Sequence, residues 1–267
     1  MAERRELAKY VMQERGLSER QACRAVNLHR CTYRYPAQKT DDHEIVEELH
    51  QLAKSQPSWG CRKMTDYLRN QGHRWNHKRI RRIYCDLALN LHRKPKKRLA
   101  ARTALAPQVP VQSNLTWSLD FMSDSLVNGR AIRTLNIIDD YNREALWIEV
   151  DTSLSAERVV RVLENLLFWR AVPKQIRMDN GPELISQRLE SWAKQKQIEL
   201  IHIQPAQNAY IERFNRTFRE DVLDAYLFDN LEEVRAITER WLEDYNTIRP
   251  HEALQGLSPR QFALQHT

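Results

Sequence analysis

The stretch "TWSLDFM", residues 116–122, decides the fold, because apolar and polar side chains alternate along it. Trp117, Leu119 and Phe121 recur at every second position, which is the period of a β-strand with one face toward a core. Asp120 therefore points to the opposite face, in the middle of the strand. A carboxylate inside a sheet loses hydration and is costly unless something offsets its charge. The stretch predicts a strand and raises the question of what neutralises Asp120.

The residues that follow alternate between strand-like and helix-like periods. Further strands are predicted in "RAIRTLNIIDDY", "EALWIEVD", "KQIRMDN" and "IELIHIQ", and the pair Asn128-Gly129 marks a hairpin after the first strand. Helical patterns are "SAERVVRVLENLLFWR", capped by Ser155, "GPELISQRLESWAKQKQ", with Pro182 in its first turn, "NAYIERFNRTFREDVLDAYL" and "NLEEVRAITERWLEDYN". Three meandering strands followed by alternating helices and strands predict an α/β fold, a mixed sheet covered by helices.

The residues before this core predict helical units and a linker. Residues 1–36 form a short helical pattern that fits either a DNA-binding helix-turn-helix or a small packing module. Residues 44–92 predict a second helical unit, in which Asn76 caps an amphipathic helix. Residues 93–113 combine basic residues and prolines without periodicity and predict an extended linker along DNA phosphates. The fourth predicted domain, residues 114–267, is the α/β core.

Basic charge is concentrated in one part of the chain. The formal net charge is +7, yet Arg62–Arg98 alone holds thirteen Lys or Arg against two Asp, a balance of +11, so the rest carries −4. Such clustering is the footprint of a polyanion-binding protein, although a solvated basic linker has the same composition. The candidate DNA-binding residues are Lys78, Arg79, Arg81 and Arg82 on the amphipathic helix and Arg93, Lys94, Lys96, Lys97 and Arg98 in the linker.

The composition excludes several classes of protein. An apolar content of 42% supports a core, but no run approaches the ~20 apolar residues of a membrane span. The opening "MAERRELAKY" is charged and contains no apolar signal segment, which predicts a cytoplasmic protein. The cysteines Cys23, Cys31, Cys61 and Cys85 show no CxxC spacing, which favours reduced thiols over a zinc site or a disulfide framework.

Three acids stand at positions that structure alone does not require. Asp120 lies inside a strand, Asp179 ends a strand in "RMDNGPEL", and Glu212 lies on the polar stripe of the helix "QNAYIERFNRTFRE". Taken singly, Asp179 can start an Asx-turn and Glu212 can be a solvated acid. Together they suit two Mg²⁺ ions, or Mn²⁺, which serve in-line displacement at phosphate. A basic arm beside such a site predicts an enzyme that cuts DNA strands.

These motifs resemble those of the DDE transposases of bacterial insertion sequences, in particular the OrfB product of the IS-three family, related to retroviral integrases. The resemblance covers nearly the whole chain. It is carried in order by "WGCRKMTDYLRNQGHRWNHKRIRRIY", "WSLDF", "DNGPEL", "QNAYIERFNRTFRE" and "YNTIRPHEALQGLSPRQF". The resemblance implies an RNase H-like core with a five-stranded mixed sheet, flanked by helices and preceded by all-α helix-turn-helix units that bind DNA.

The resemblance also implies three groups of site residues. They are the catalytic metal ligands Asp120, Asp179 and Glu212, the DNA contact Arg219, and the site neighbours Asn180 and Asn208. It assigns no role to "RPHEAL", residues 249–254.

The reaction implied is nicking at the element's ends by water and transfer of the freed 3′-hydroxyl to another phosphodiester, through a circular intermediate to integration. The implied partners are double-stranded DNA (terminal inverted repeats and target), a second copy of the chain in a homodimer or higher oligomer, and an OrfA-type protein. The compartment implied is the bacterial cytoplasm, at the nucleoid.

One departure from the family pattern concerns the active-site loop. Asp179 and Glu212 are separated by 32 residues, three fewer than in the family, and the shortage falls in "IQPAQNAY". One explanation is that the loop is truly shorter in this protein. The other is that the sequence omits loop residues near Gln204–Ala206, in which case neighbouring Cα atoms there would lie farther apart than one peptide link allows. The intact flanking blocks favour the second explanation. Two rival functions stay open: a DNA-binding relic without turnover, and an RNase H-like nuclease acting on RNA–DNA hybrids.

Overall fold

The computed structural model describes residues 2–35, 41–91, 110–181, 183–203 and 208–266. Several expectations fall outside these residues: the linker cations Arg93, Lys94, Lys96, Lys97 and Arg98, most of the predicted linker, Pro182, and the expected chain break near Gln204–Ala206. The described chain divides into two compact units, Met1–Glu44 and Ile45–Thr267.

The first unit contains three short helices, α1 (Ala2–Arg15), α2 (Glu19–Ala25) and α3 (Arg30–Arg34). Its small core includes Ala8, Ala22 and Cys23, so this cysteine is a buried free thiol. The Arg5 guanidinium donates two hydrogen bonds to the Thr32 carbonyl, at 3.0 and 2.6 Å, which ties α1 to α3.

The second unit begins with α4 (His43–Ser55, which starts in the first unit), α5 (Cys61–Asn70) and α6 (His77–Asp86). These helices share a hydrophobic core that includes Ile45, Leu49, Trp59, Met64, Leu68, Ile80, Ile83 and Tyr84. The predicted cap of α6 is confirmed, because the Asn76 side chain accepts a hydrogen bond from the Lys78 backbone N–H at 2.9 Å. The apolar stripe of α6 is thus buried, and its basic side chains are left on the other face.

The predicted five-stranded mixed sheet is confirmed. Its strands are β1 (Thr116–Ser125), β2 (Ala131–Asp139), β3 (Ala145–Asp151), β4 (Gln175–Met178) and β5 (Glu199–His202), in the order β3-β2-β1-β4-β5. The first three strands are antiparallel neighbours, whereas β4 and β5 run parallel to β1. The sheet has helices on both faces, as predicted for an RNase H-like core preceded by helical units.

Each face of the sheet carries its own hydrophobic core. Trp117 and Leu119 pack with α7 (Ala156–Leu167) and α8 (Gln187–Lys196). The opposite face packs against α9 (Ala209–Phe218), the π-helical turn Arg219–Leu223 and α10 (Leu231–Thr247), and α11 (Pro259–Gln265) follows near the end of the chain. Asp120 therefore faces α9, on the side of β1 away from Trp117.

Two helix boundaries differ from the sequence-based expectation. The helix expected from Gly181 begins only at Gln187, because the Ser186 hydroxyl caps it by accepting a hydrogen bond from the Leu189 backbone N–H at 3.2 Å. The single helix expected after Asn208 becomes π-helical at Arg219–Leu223. Among the described helices, none combines the length and apolar character needed to span a bilayer.

Candidate active site

Asp120 is held by neutral hydrogen-bond donors. Its Oδ1 accepts from the Phe121 backbone N–H at 2.9 Å, and its Oδ2 accepts from the Asn215 side-chain amide at 2.6 Å. Within the described ranges of the chain, no Lys, Arg or His side chain pairs with this carboxylate. The protein chain thus orients Asp120 but leaves its negative charge uncompensated.

A short relay of two asparagines fixes the orientation of Asp120. Asn136, directly opposite Asp120 in the β1–β2 register, donates from its side-chain amide to Asn215 Oδ1 at 2.6 Å, and Asn215 in turn donates to Asp120. Both asparagines are buried. The sequence analysis gave Asn215 no role, and no local signal pointed to Asn136 because its partner lies 79 residues away.

Asp179 follows β4 directly and begins a turn. Its Oδ1 accepts a hydrogen bond from the Gly181 backbone N–H at 3.1 Å, which confirms the Asx-turn considered from the sequence. Among described residues, Asp179 Oδ2 makes no hydrogen bond or ion pair, so the turn engages only one of its two oxygens. Asn180 next to it is exposed. Asp179 can therefore form the Asx-turn through Oδ1 and still offer Oδ2 to a metal ion.

Glu212 lies in the first turn of α9 with an exposed side chain. The backbone N–H of Glu212 donates to the carbonyl of Asn208, the buried residue at the start of this helix, at 3.0 Å. Asn215 lies three positions after Glu212, so both project from the same face of α9. The helix that carries Glu212 is thus also the helix that donates a hydrogen bond to Asp120, through Asn215.

The pKa of Asp120 responds to the negative charges of the other two acids. Burial, followed by the negative charge of Asp179 and then that of Glu212, raises the pKa of Asp120 to about 6, while the bonds from Phe121 and Asn215 act against this shift. A carboxylate responds in this way when like charges lie near it in a poorly solvated place. In the folded chain, Asp179 and Glu212 therefore lie near enough to Asp120 to raise its pKa.

The three carboxylates are not, however, arranged as a ready metal site. In the described parts of the chain, no three His, Cys, Asp or Glu side chains come close enough to hold one ion. The donor set itself fits a hard divalent cation, because it consists of carboxylate oxygens with no cationic partner on Asp120. Ion binding would require these side chains to move closer together.

A fourth acid near this centre is already neutralised. Glu183 forms an ion pair with Arg133 of β2, and this partner holds the Glu183 pKa below its usual range. The Arg133 guanidinium also lies over the Phe121 ring, 4.6 Å from its centroid. The sequence missed this pair, which anchors the segment after Asp179 to the sheet.

The predicted DNA contacts lie in two places. Lys78, Arg81 and Arg82 of α6 are exposed and Arg79 is partly exposed, so the basic face of this helix is open to solvent. Arg219, in contrast, is engaged by its own chain. Its guanidinium donates to the Ser123 carbonyl at 3.0 Å and lies 3.7 Å from the carboxylates of Asp124 and Asp224.

Comparison with protein families gives matches over most of the chain. Two models of an integrase core domain match residues 110–208 and 196–259, and a model of an HTH-like domain matches residues 38–98. The HTH-like match covers α4 to α6, including the basic helix, and the integrase core matches cover the sheet with all three acids.

Several curated proteins are similar over most of their length. An uncharacterized 31.7 kDa protein of insertion element IS407 from Burkholderia multivorans is 38% identical over 94% of this chain and 92% of that protein. A protein of insertion element IS476 from Xanthomonas euvesicatoria is 37% identical over 98% of this chain and 77% of that protein. The transposase InsD of Escherichia coli insertion element IS2 is 27% identical over 85% of this chain and 80% of that protein.

Among solved structures, the HTLV-2 integrase catalytic core domain in complex with magnesium is similar with a TM-score of 0.46 and 17% identity, covering 57% of this chain and 98% of that domain. The catalytic core domain of BIV integrase is similar with a TM-score of 0.44 and 21% identity, covering 57% of this chain and 95% of that domain.

Proposed function

We propose that this chain, which belongs to the insertion-element transposases with an HTH-like domain and an integrase core domain, nicks DNA at the ends of such an element. In the same proposal, the freed 3′-hydroxyl is transferred to another phosphodiester, through a circular intermediate to integration in a target. The observation that carries the proposal is that the partly buried Asp120 accepts hydrogen bonds only from neutral donors among the described residues, one of them Asn215 on the helix that presents Glu212.

Asp120, Asp179 and Glu212 are the residues that would hold Mg²⁺, as two ions, or Mn²⁺ in their place. Such ions, when bound, activate the attacking oxygen and stabilise the leaving oxygen of a phosphodiester. The chain's own contribution is orientation: Asn215 and the Phe121 N–H direct the Asp120 oxygens, and the Asx-turn directs Asp179. Asn180 and Asn208 are proposed neighbours of the scissile phosphate.

The test of this function is a metal-dependent nicking assay. Labelled duplexes that carry the ends of the cognate insertion element are incubated with the full chain, with Mg²⁺ or with EDTA. We expect nicks at the element's ends with Mg²⁺ and none with EDTA, because the uncompensated carboxylates cannot approach a phosphate without a cation. Equal nicking of scrambled duplexes, or nicking in EDTA, would contradict the proposal.

DNA binding is proposed for the basic face of α6, made up of Lys78, Arg79, Arg81 and Arg82, together with the cations between Arg93 and Arg98. The match to an HTH-like domain over residues 38–98 supports this assignment. For Arg219, the proposal requires the guanidinium to exchange Asp124 and Asp224 for a phosphate. The proposed partners are element ends, target DNA, a second copy of the chain and an OrfA-type protein.

Replacing Arg81 by Ala is expected to weaken DNA binding. It should also reduce the magnitude of the slope of log affinity against log salt by about one, because binding releases one counterion fewer. Binding is measured by fluorescence anisotropy at several salt concentrations. Arg161→Ala on α7 is the control, since it removes the same charge from an exposed site outside the proposed surface. An unchanged salt slope for Arg81→Ala would remove α6 from the interface.

A DNA-binding relic without turnover is the second candidate. Two observations favour it: the carboxylates are not close enough to hold an ion, and the segment between Asp179 and Glu212 is three residues shorter than the family pattern. The nicking assay separates the relic from an active transposase. A relic binds the element's ends with the salt dependence of phosphate contacts, but it leaves every strand intact at all Mg²⁺ concentrations.

A further inference from the structure

The segment "RPHEALQGLSPRQ", residues 249–261, connects the helix proposed to contact DNA with the helix that carries Glu212. Its two sides contact different parts of the same compact unit, Ile45–Thr267. One side meets α5, which shares a hydrophobic core with α6. The other side meets α10 and the π-helical turn that continues α9.

The segment contacts α5 through hydrogen bonds and an ion pair. The Asn70 side-chain amide donates to the Gly256 carbonyl at 2.8 Å and to Gln261 Oε1 at 3.3 Å. The Arg62 guanidinium pairs with Glu252 Oε1 at 2.7 Å, although both side chains are largely exposed, which limits the strength of this ion pair. Ile248, which immediately precedes this segment in the chain, packs against the hydrophobic core of α4 to α6.

Gly256 brings the backbone of this segment close to α5. Its φ is +85°, and a Cβ added there would lie 3.0 Å from Cγ and 3.2 Å from Cβ of Asp66 on α5. Only glycine combines this backbone conformation with so near an approach. The turn that presents Gly256 is closed by its own backbone, since the Gly256 N–H donates to the His251 carbonyl at 2.9 Å.

The contacts to the catalytic core are buried. Arg249 forms an ion pair with Asp221 in the π-helical turn, and both side chains are more than nine-tenths buried. The His251 ring packs edge-on against Tyr245 of α10, with 4.7 Å between ring centroids. Because the π-helical turn follows α9 without a break, this side of the segment is fixed relative to Glu212.

We propose that residues 249–261 set the distance between the DNA-contacting helix α6 and the three carboxylates, and so determine which phosphodiester of a bound element end is cut. This inference rests on the proposed nicking function. It makes Asn70, Gly256 and Gln261 specificity-determining residues that act by position, without touching DNA. A DNA end gripped by α6 can present only the phosphate that lies at the fixed distance from Asp120.

The test maps nick positions at single-nucleotide resolution for Gly256→Ala and Asn70→Ala. Gly256→Ala pushes α5 away through the Asp66 clash, and Asn70→Ala removes two hydrogen bonds without adding bulk. We expect the fraction of nicks at the wild-type phosphodiester to fall severalfold, with new nicks one or two nucleotides away, while DNA affinity changes less than about threefold. Thermal unfolding of both variants accompanies the assay.

Gly129→Ala is the matched control, because Gly129 has a similar φ of +80° but no heavy atom within 4 Å of an added Cβ. It carries the same backbone strain without the clash and should keep the wild-type nick position. An unchanged position in folded Gly256→Ala and Asn70→Ala would overturn this inference alone, as would a uniform loss of nicking without redistribution. A wild-type chain that makes no nick at all would instead overturn the proposed function.

Discussion

Asp120→Asn is expected to reduce metal-dependent nicking by at least about a thousandfold, equivalent to about 4 kcal/mol of transition-state stabilisation. Asparagine keeps the size of the side chain, but it removes the charge at the centre on which Asp179 and Glu212 act. DNA affinity should stay the same or rise slightly, because a negative charge near phosphate disappears. The measurement combines single-turnover nicking with binding by anisotropy on the same duplex.

Asp229→Asn is the control for this experiment, since it makes the same chemical change at an exposed acid before α10. It should leave both nicking and binding unchanged. If Asp120→Asn nicks at the wild-type rate, the carboxylate centre is not catalytic, and the DNA-binding relic becomes the better account. A parallel loss of affinity would indicate instead that the substitution disturbs folding.

Arg249→Ala is expected to lower the free energy of unfolding by about 3–5 kcal/mol, because it leaves the Asp221 carboxylate buried without its cation. From the part of the chain that the structure describes, Asp221 would keep only the hydrogen bond from Trp241 Nε1 at 3.1 Å. The free energy is measured by urea denaturation followed by tryptophan fluorescence. This result would give the "RPHEAL" signature a structural role that the sequence did not supply.

Arg260→Ala is the matched control, because Arg260 pairs with Glu243 at 3.3 Å with both side chains about two-thirds exposed. Its expected cost is about 0–1 kcal/mol, as for surface ion pairs in general. Adding Asp221→Ala to Arg249→Ala should restore part of the lost stability, since no buried charge then lacks a partner. Equal costs for Arg249→Ala and Arg260→Ala would show that the buried pair contributes nothing special.

Local sequence patterns were sufficient for most elements of the fold, although no helix was predicted where α11 lies. The alternation around Asp120 predicted β1, the apolar stripe and Asn76 predicted α6, and Ser155 was confirmed as the cap of α7. Such signals succeed because helix and strand periods, and the hydrogen bonds of caps, involve residues only a few positions apart. One of the two boundary errors lies at the start of α8, where Ser186 provides a cap several residues after Gly181, the expected start of the helix.

The environment of the candidate site was less accessible from sequence. The acids were singled out as a set, yet neither the pair Glu183–Arg133 nor the relay from Asn136 through Asn215 was anticipated. Each joins residues 50 or more positions apart, and only the strand register and helix packing bring such residues into contact. An asparagine in a strand and one in a helix carry no mark that identifies them as partners.

The sequence by itself determined which segments become strands and helices, where basic charge accumulates, and which three acids are candidates for catalysis, because these properties depend on neighbours along the chain. Only the tertiary structure decided that Asn215 orients Asp120, that Arg219 is held by its own chain, and that Gly256 meets α5. Those contacts form when the folded sheet and its helices close loops of roughly a hundred residues or more, and the free energy that selects them comes from burial and hydrogen bonding that no short window of sequence contains.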